Sequence, residues 1–218
     1  GLYSSTSACA ADSLDSDHLG PCRCDPRELR ERTIERALRK VWASLWNFQA
    51  YELRRWYGIE ESNVSMAVLV TPAFVDEAAN GVALTGSPTD PTDSRFYVSA
   101  QPGDTSVVRP EPGQIPELDL LAVTEQGRLV VERVRPSNLV FEGTFVLQEE
   151  ELSELASLLS SLAGAYKPPE GVPEELVRLN VEFKLSSAHR IIIKQVRPYV
   201  LPGTRRFVSK LIDRTLYF

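Results

Sequence analysis

Apolar residues recur at a helical period in two stretches of the chain. In the first, Arg and Glu separate apolar residues spaced three to four apart, which predicts an amphipathic helix from Pro26 onward. The pattern continues as a second helix through Tyr57 and stops at Gly58. In the second stretch, Leu and Ala at this spacing follow a Glu-rich first turn, which predicts a helix over residues 147–163. The periodic apolar residues of the first stretch are Ile34, Leu38, Val41, Trp42, Leu45 and Trp46.

Extended segments are indicated by short runs of β-branched and apolar residues. The run over residues 64–71, closed by Pro72, is typical of a strand buried on both faces. The last two runs are joined by a turn at residues 186–189 and predict a hairpin. Helices first, strands next and a terminal hairpin predict an α+β fold. The remaining predicted strands are residues 81–85, 96–98, 107–108, 118–123, 128–134, 179–185 and 190–196.

Composition and charge exclude several classes of function. The 218 residues are 43% hydrophobic and 25% charged, which is typical of a globular protein with one large or two modest cores. A formal net charge of −6 provides no basic surface for a phosphate backbone, so nucleic acid is not expected as a main partner. No run approaches the roughly 18 to 20 apolar residues that span a bilayer, and residues 1–15 lack a secretory leader pattern. The expectation is a cytoplasmic protein without a membrane partner.

The three cysteines lie in a Ser- and Asp-rich segment, residues 1–26, that predicts a long surface loop. An odd count in a chain of this length argues against a secreted disulfide scaffold, so free thiols are expected. A zinc site is the alternative, although a Cys-x-Cys pair is tighter than the usual spacing. Its ligands would be Cys9, His18, Cys22 and Cys24.

Aromatic residues are concentrated in the first helical stretch. They could form a stacking platform for a sugar or a base, but helical spacing favours packing in a core with only an edge residue exposed. These residues are Trp42, Trp46, Phe48, Tyr51 and Trp56.

Five segments, in order and spacing, resemble a known nucleotide-binding domain. They are V-W-A-S-L-W-N-F-Q-A-Y-E-L-R-R at 41–55, M-A-V-L-V-T-P at 66–72, N-G-V-A-L-T at 80–85, N-V-E-F-K-L at 180–185 and I-K-Q-V-R-P at 193–198. Together they resemble the ATP-binding domain of the phosphoenolpyruvate synthase and pyruvate phosphate dikinase family, which includes rifampin phosphotransferase and glucan water dikinase.

The resemblance implies an ATP-grasp-like fold with mixed, mostly antiparallel sheets and flanking helices. Residues 1–60 would be a loop and helical segment from the end of the first lobe, and residues 61–218 would be the nucleotide-binding lobe. In this family MgATP binds between two lobes, and a phosphoryl group passes to a histidine on a separate domain and then to an acceptor such as pyruvate. The implied ligands are ATP and Mg²⁺, and the implied partner is that phosphohistidine-carrying domain.

The family's site residues transfer to matching positions of this chain. The metal ligands match Glu182 and Gln195, and the catalytic arginine matches Arg197. The adenine-side hinge matches residues 70–73, and Thr85 matches a threonine beside the nucleotide cleft. The nucleotide-binding positions implied in this way are Gly1, Ser5, Val70, Thr71, Ala73 and Thr85.

Strand geometry gives independent support for the metal and phosphate site. Gln195 and Arg197 are two residues apart and project to one face of a strand, and a neighbouring antiparallel strand can place Glu182 beside them. Mg²⁺ takes few protein oxygens and completes its octahedron with water and phosphate, while Arg offers a fork matched to phosphate oxygens. The alternative is an ordinary surface Glu/Arg pair.

Departures from the family pattern leave a second function open. Thr71 stands where the family commonly has Gln, and Asn180 stands where it often has Asp. The Lys and Arg that precede the phosphate loop in the family have no counterpart, so the chain is expected to be N-terminally truncated and inactive by itself. The alternative function is therefore a degenerate, non-catalytic module that serves in interaction or regulation.

Overall fold

The computed structural model describes residues 2–11, 24, 33–73, 76–124, 126–168 and 172–201. The chain divides into two compact units, Gly1–Val75 and Asp76–Phe218. The predicted division at residues 60 and 61 stays a prediction.

The first unit contains two short helices, as the periodicity predicted. Helix α1 spans Ile34–Ala43 and begins at Thr33, whose side chain accepts a hydrogen bond from the N–H of Arg36. Helix α2 spans Phe48–Trp56. Gly58, with φ of 65°, follows it in the left-handed conformation that ends many helices. The predicted start at Pro26 lies outside the described residues.

The aromatic residues of this unit are exposed, so the prediction that they form a core is wrong. Phe48 is 77% and Trp56 83% exposed, and Trp42, Trp46 and Tyr51 are also exposed. Small residues occupy the inner positions instead, since Ala37 and Ala50 are buried. Arg54 is buried as well and donates hydrogen bonds to both oxygens of Glu61. The predicted helical period is present, but the buried side of these helices carries alanine residues and the Arg54 of an ion pair with Glu61.

A disulfide bond joins Cys9 to Cys24, with 5.7 Å between their Cα atoms. This distance lies within the range that a disulfide requires. The expectation of free thiols is therefore wrong for these two residues, and both are removed from the alternative zinc site. His18 and Cys22 lie outside the described residues.

The apolar run at residues 64–71 forms no strand, so the prediction of a buried strand is wrong. Leu69 is 87% and Val70 76% exposed. The reason is that a strand requires a hydrogen-bonded neighbour, and no described strand pairs with this segment.

The second unit is built on a six-stranded sheet with the order β4-β3-β2-β1-β5-β6, in which every pairing between described strands is antiparallel. The predicted hairpin is present as the last two strands. No strand forms at residues 107–108, where one was predicted. The strands are β1 Glu77–Leu84, β2 Phe96–Pro102, β3 Glu117–Val123, β4 Leu129–Arg135, β5 Val177–Ser186 and β6 Ile191–Val200.

Helix α3, Glu149–Ala165, packs on one face of this sheet. The Glu151 side chain accepts a hydrogen bond from the N–H of Gln148 and so completes a capping box at the start of the helix. The core lies between helix and sheet and contains Leu152, Leu155 and Leu159 of the helix. The strands contribute Ala79, Ala83, Val98, Ala100, Leu121, Leu179, Val181, Phe183 and Leu185.

A pair of buried carboxyl groups lies on β3 near the start of α3. Glu117 and Asp119 are both fully buried. Glu117 accepts hydrogen bonds from the N–H groups of Val146 and Leu147, and Arg133 lies 3.4 Å from both oxygens of Asp119. Burial, together with the neighbouring Asp119, raises the pKa of Glu117 to about 7.

The predicted α+β class is confirmed, and the arrangement is consistent with an ATP-grasp-like domain. Within the described part of the chain, no helix has the length and apolar character needed to cross a membrane.

Candidate functional site

A row of polar side chains runs along the β5–β6 hairpin on the face opposite α3. Glu182 stands directly across from Gln195, and Asn180 stands across from Arg197. The odd-numbered residues of β5 belong to the core, namely Leu179, Val181 and Phe183. Alternation along a strand therefore puts these four residues together on the other face. We call Asn180, Glu182, Gln195 and Arg197 the polar row.

A β-bulge at Lys194 creates this alignment. Phe183 pairs with Ile193, but its neighbour Glu182 pairs with Gln195, so one extra residue lies in β6. Ile193 packs against the core. Without the extra residue, strict alternation would send Gln195 to the core face as well. The bulge re-aims the second half of β6, which is a recognised use of bulges beside functional sites.

The side chains of the polar row are not engaged by the rest of the described chain. Asn180, Glu182 and Gln195 are half-buried, and Arg197 is exposed. No described residue forms an ion pair or a side-chain hydrogen bond with Glu182, Gln195 or Arg197. The Oδ1 atom of Asn180 is buried and has no hydrogen-bond partner within the described residues. Buried polar atoms in folded proteins nearly always have a partner, so this oxygen is a free ligand position.

These groups suit a hard cation better than a soft one. The row offers one carboxylate and two amide oxygens, and Mg²⁺ prefers oxygen ligands while retaining several waters. Among the described residues there is no group of three or more His, Cys, Asp or Glu that could hold a metal ion. A metal bound at the row would therefore depend on ligand phosphates to complete its coordination.

Thr85 lies away from the polar row. Its hydroxyl oxygen accepts a hydrogen bond of 2.8 Å from the N–H of Leu179, and its own N–H donates to the Leu179 carbonyl. Leu179 belongs to the core, so Thr85 is on the α3 side of the sheet, where it borders a groove of about 460 Å³ whose lining includes Ala163, Tyr166 and Arg178. The structure thus brings Glu182, Gln195 and Arg197 together but places Thr85 on the opposite face.

The other predicted nucleotide-binding residues belong to the first unit. Ser5, Val70, Thr71 and Ala73 are all exposed there. Gly1 lies outside the described residues.

Two residues that the sequence did not single out continue the polar row. Arg178 pairs with Tyr199, two residues along each strand from the pair formed by Asn180 and Arg197. Because side chains alternate between the two faces of a strand, both residues lie on the same face as the polar row. The predicted pairing of the hairpin is therefore enough to identify them.

Comparison with known proteins gives one family. The family model described as the pyruvate phosphate dikinase AMP/ATP-binding domain matches residues 7–206, nearly the whole chain. No curated protein gives a significant match. The chain therefore belongs to the pyruvate phosphate dikinase AMP/ATP-binding domain family and is a nucleotide-binding domain of that family.

Proposed function

We propose that the polar row binds the phosphates and the metal of MgATP, in a domain whose parent protein transfers a phosphoryl group from ATP to a histidine on another domain. One observation carries this proposal: Glu182 faces Gln195, with Arg197 on the same face, and no other described side chain holds any of the three. Phosphoryl transfer requires charge neutralisation and alignment more than a protein nucleophile, and this set of groups supplies both.

Each residue of the row has a separate part in the proposal. Glu182 and Gln195 would hold Mg²⁺, with the free Asn180 oxygen as a third ligand. The ion supplies positive charge next to the phosphate oxygens when it is bound. Arg197 donates hydrogen bonds in a planar fork to phosphate oxygens and orients the group that is transferred. The acceptor histidine would then attack the γ-phosphorus as the bond between that phosphorus and the leaving ADP oxygen breaks.

The remaining predicted positions have supporting parts. Val70, Thr71 and Ala73 of the first unit stay predicted adenine-side positions, and Gly1 and Ser5 stay predicted phosphate-loop positions, as the resemblance implies. Thr85 would support the polar row without contacting the nucleotide, because its hydrogen bonds with Leu179 fix the end of β1 to β5.

Titration of the 218-residue chain with ATP, by calorimetry and with Mg²⁺ present, tests the proposal. Glu182→Gln should weaken binding about tenfold or more, which corresponds to about 1.4 kcal/mol. In EDTA the sign should change: without the ion the carboxylate only repels phosphate, so Glu182→Gln should bind ATP at least as tightly as the wild type. Arg197→Lys should weaken binding about tenfold in both buffers, because an ammonium cannot reproduce the fork.

Matched controls use exposed residues in turns of the second unit. Glu142→Gln and Arg128→Lys make the same chemical changes away from the row and should leave binding unaltered. Wild-type affinity in all four variants would remove these residues from the site.

A degenerate, non-catalytic module is the second candidate. The observation that favours it is that the polar row contains one carboxylate only, because position 180 is an asparagine. A wild-type chain that is folded but binds no ATP, with or without Mg²⁺, would support this alternative over the first.

A further inference from the structure

Arg178 is a buried cation at the end of the polar row. It lies two residues before Asn180 on β5, faces Tyr199 across the hairpin, and is only 7% exposed. A guanidinium that has left water is costly unless its donors and its charge are compensated.

The partners of Arg178 are main-chain oxygens. Its Nη1 atom donates to the carbonyls of Glu175 at 3.0 Å and Val177 at 3.2 Å, and its Nη2 atom donates to the carbonyl of Pro91 at 2.9 Å. No carboxylate among the described residues forms an ion pair with it, and its Nε atom is buried without a partner. Its positive charge acts on the loop that it contacts, because Arg178 contributes, after hydrogen bonds from Thr92, to the lowered pKa of Asp90.

Pro91 belongs to a tightly bonded loop, residues 87–93, that connects β1 to β2. The N–H of Ser87 donates to the carbonyl of Asp93 at 2.9 Å, and the hydroxyl of Ser87 accepts from the N–H of Asp90 at 3.1 Å. Tyr199 makes a second attachment, because its hydroxyl donates to the carbonyl of Pro88 at 3.3 Å. The loop is thus fixed to the end of the polar row at two points.

Gly86, immediately before this loop, provides the space for Arg178. A Cβ atom at position 86 would lie 2.0 Å from Nε and 2.4 Å from Cδ of Arg178. Any larger residue there would have to displace the guanidinium from its place.

We propose that Arg178 is a positioning residue of the nucleotide site: it holds the 87–93 loop against the end of the polar row, so that loop and row form one preorganised surface for the anionic part of the nucleotide. This inference rests on the proposed function. Arg178 acts through the loop that it holds, because its two Nη atoms are already occupied by carbonyl groups.

Gly86→Ala is the informative substitution, because it displaces the arginine without deleting any of its atoms. The control is Gly164→Ala in α3, where an added Cβ meets nothing within 4 Å. Tyr199→Phe removes only the second attachment. Each variant is compared with the wild type by melting temperature, by hydrogen exchange of the amides in the 87–93 loop, and by ATP affinity in Mg²⁺.

Gly86→Ala should exchange the loop amides faster, melt below Gly164→Ala because the guanidinium leaves its carbonyl partners, and bind ATP on the order of tenfold more weakly. Tyr199→Phe should show both effects to a smaller extent. Faster exchange with unchanged ATP affinity means a purely structural arginine and overturns the inference alone. Absence of ATP binding in the wild type overturns the proposed function and this inference with it.

Discussion

Replacing Glu117 by Gln should flatten the dependence of stability on pH between pH 5 and pH 8. Glu117 is fully buried, and its pKa is raised from 4.5 to about 7, first by burial and also by the charge of Asp119. A carboxyl group whose pKa is higher in the folded state binds more protons there than in the unfolded chain, so stability falls as pH rises through this interval. Below pH 4.5 the group is protonated in both states and costs nothing.

The size of the effect follows from the same values. The difference between 4.5 and about 7, at about 1.4 kcal/mol per pH unit, gives a loss of about 3 kcal/mol once Glu117 is fully ionised. A glutamine does not titrate, but it can accept only one of the two N–H groups that Glu117 accepts from Val146 and Leu147. Glu117→Gln should therefore be less stable at pH 5 by about 1 to 3 kcal/mol and nearly equal to the wild type at pH 8.

Urea unfolding followed by far-ultraviolet circular dichroism at pH 5, 6, 7 and 8 measures this difference. Glu142→Gln, in an exposed turn, is the control and should keep the wild-type profile. Asp119→Asn should give an intermediate slope, since it removes both the neighbouring charge and a second carboxyl group whose pKa is raised by burial, but leaves Glu117 buried. Parallel profiles for the wild type and Glu117→Gln would refute the account of the buried pair.

Two further substitutions test the packing of each unit. Gly81→Ala should destabilise the second unit by about 1 to 3 kcal/mol or more, because its Cβ would lie 2.2 Å from the Phe183 ring and 2.7 Å from the Ser99 carbonyl; a melting temperature equal to that of Gly164→Ala would contradict this. Glu61→Gln should cost the first unit about 3 kcal/mol, because Arg54 would stay buried without a carboxylate. All three tryptophans lie in that unit, so their fluorescence reports the change, and an unaltered transition would argue against the pair.

The sequence predicts the elements well where one periodicity dominates. The helices of both units and the terminal hairpin appear close to the predicted positions because each carries a sustained repeat of 3.6 or 2 residues. The run at residues 64–71 failed for a different reason: β-propensity measures how residues fit a half-buried sheet, and no described strand is beside this segment to supply the pairing.

The composition of the polar row could be predicted, but its geometry could not. Two-residue spacing indicates that Gln195 and Arg197 share a face, yet which face depends on the bulge at Lys194, and the I-I-I-K-Q-V-R sequence contains no alternation that reveals an extra residue. Nothing in the sequence singles out Arg178, because a single arginine at the start of a strand resembles a solvated charge. Its most distant partner, the Pro91 carbonyl, lies 87 residues away along the chain.

The exposed aromatic residues of α1 and α2 show a related limit. Helical spacing identifies an apolar stripe, but it does not say which side of a short helix faces inward when alanine occupies the other side. The disulfide could not be predicted either, because the number of cysteines does not indicate which Cα atoms the fold brings within 5.7 Å of each other.

The central claim is that nucleotide binds on the face of the β5–β6 hairpin opposite α3. The most direct measurement is a titration of the isotopically labelled chain with ATP and Mg²⁺, followed by amide chemical shifts in nuclear magnetic resonance spectra. The account predicts that the shifts of Asn180, Glu182, Gln195 and Arg197 and of the 87–93 loop change most, and that those of α3 change little. Changes centred on α3, or no changes at saturating ATP, would contradict it.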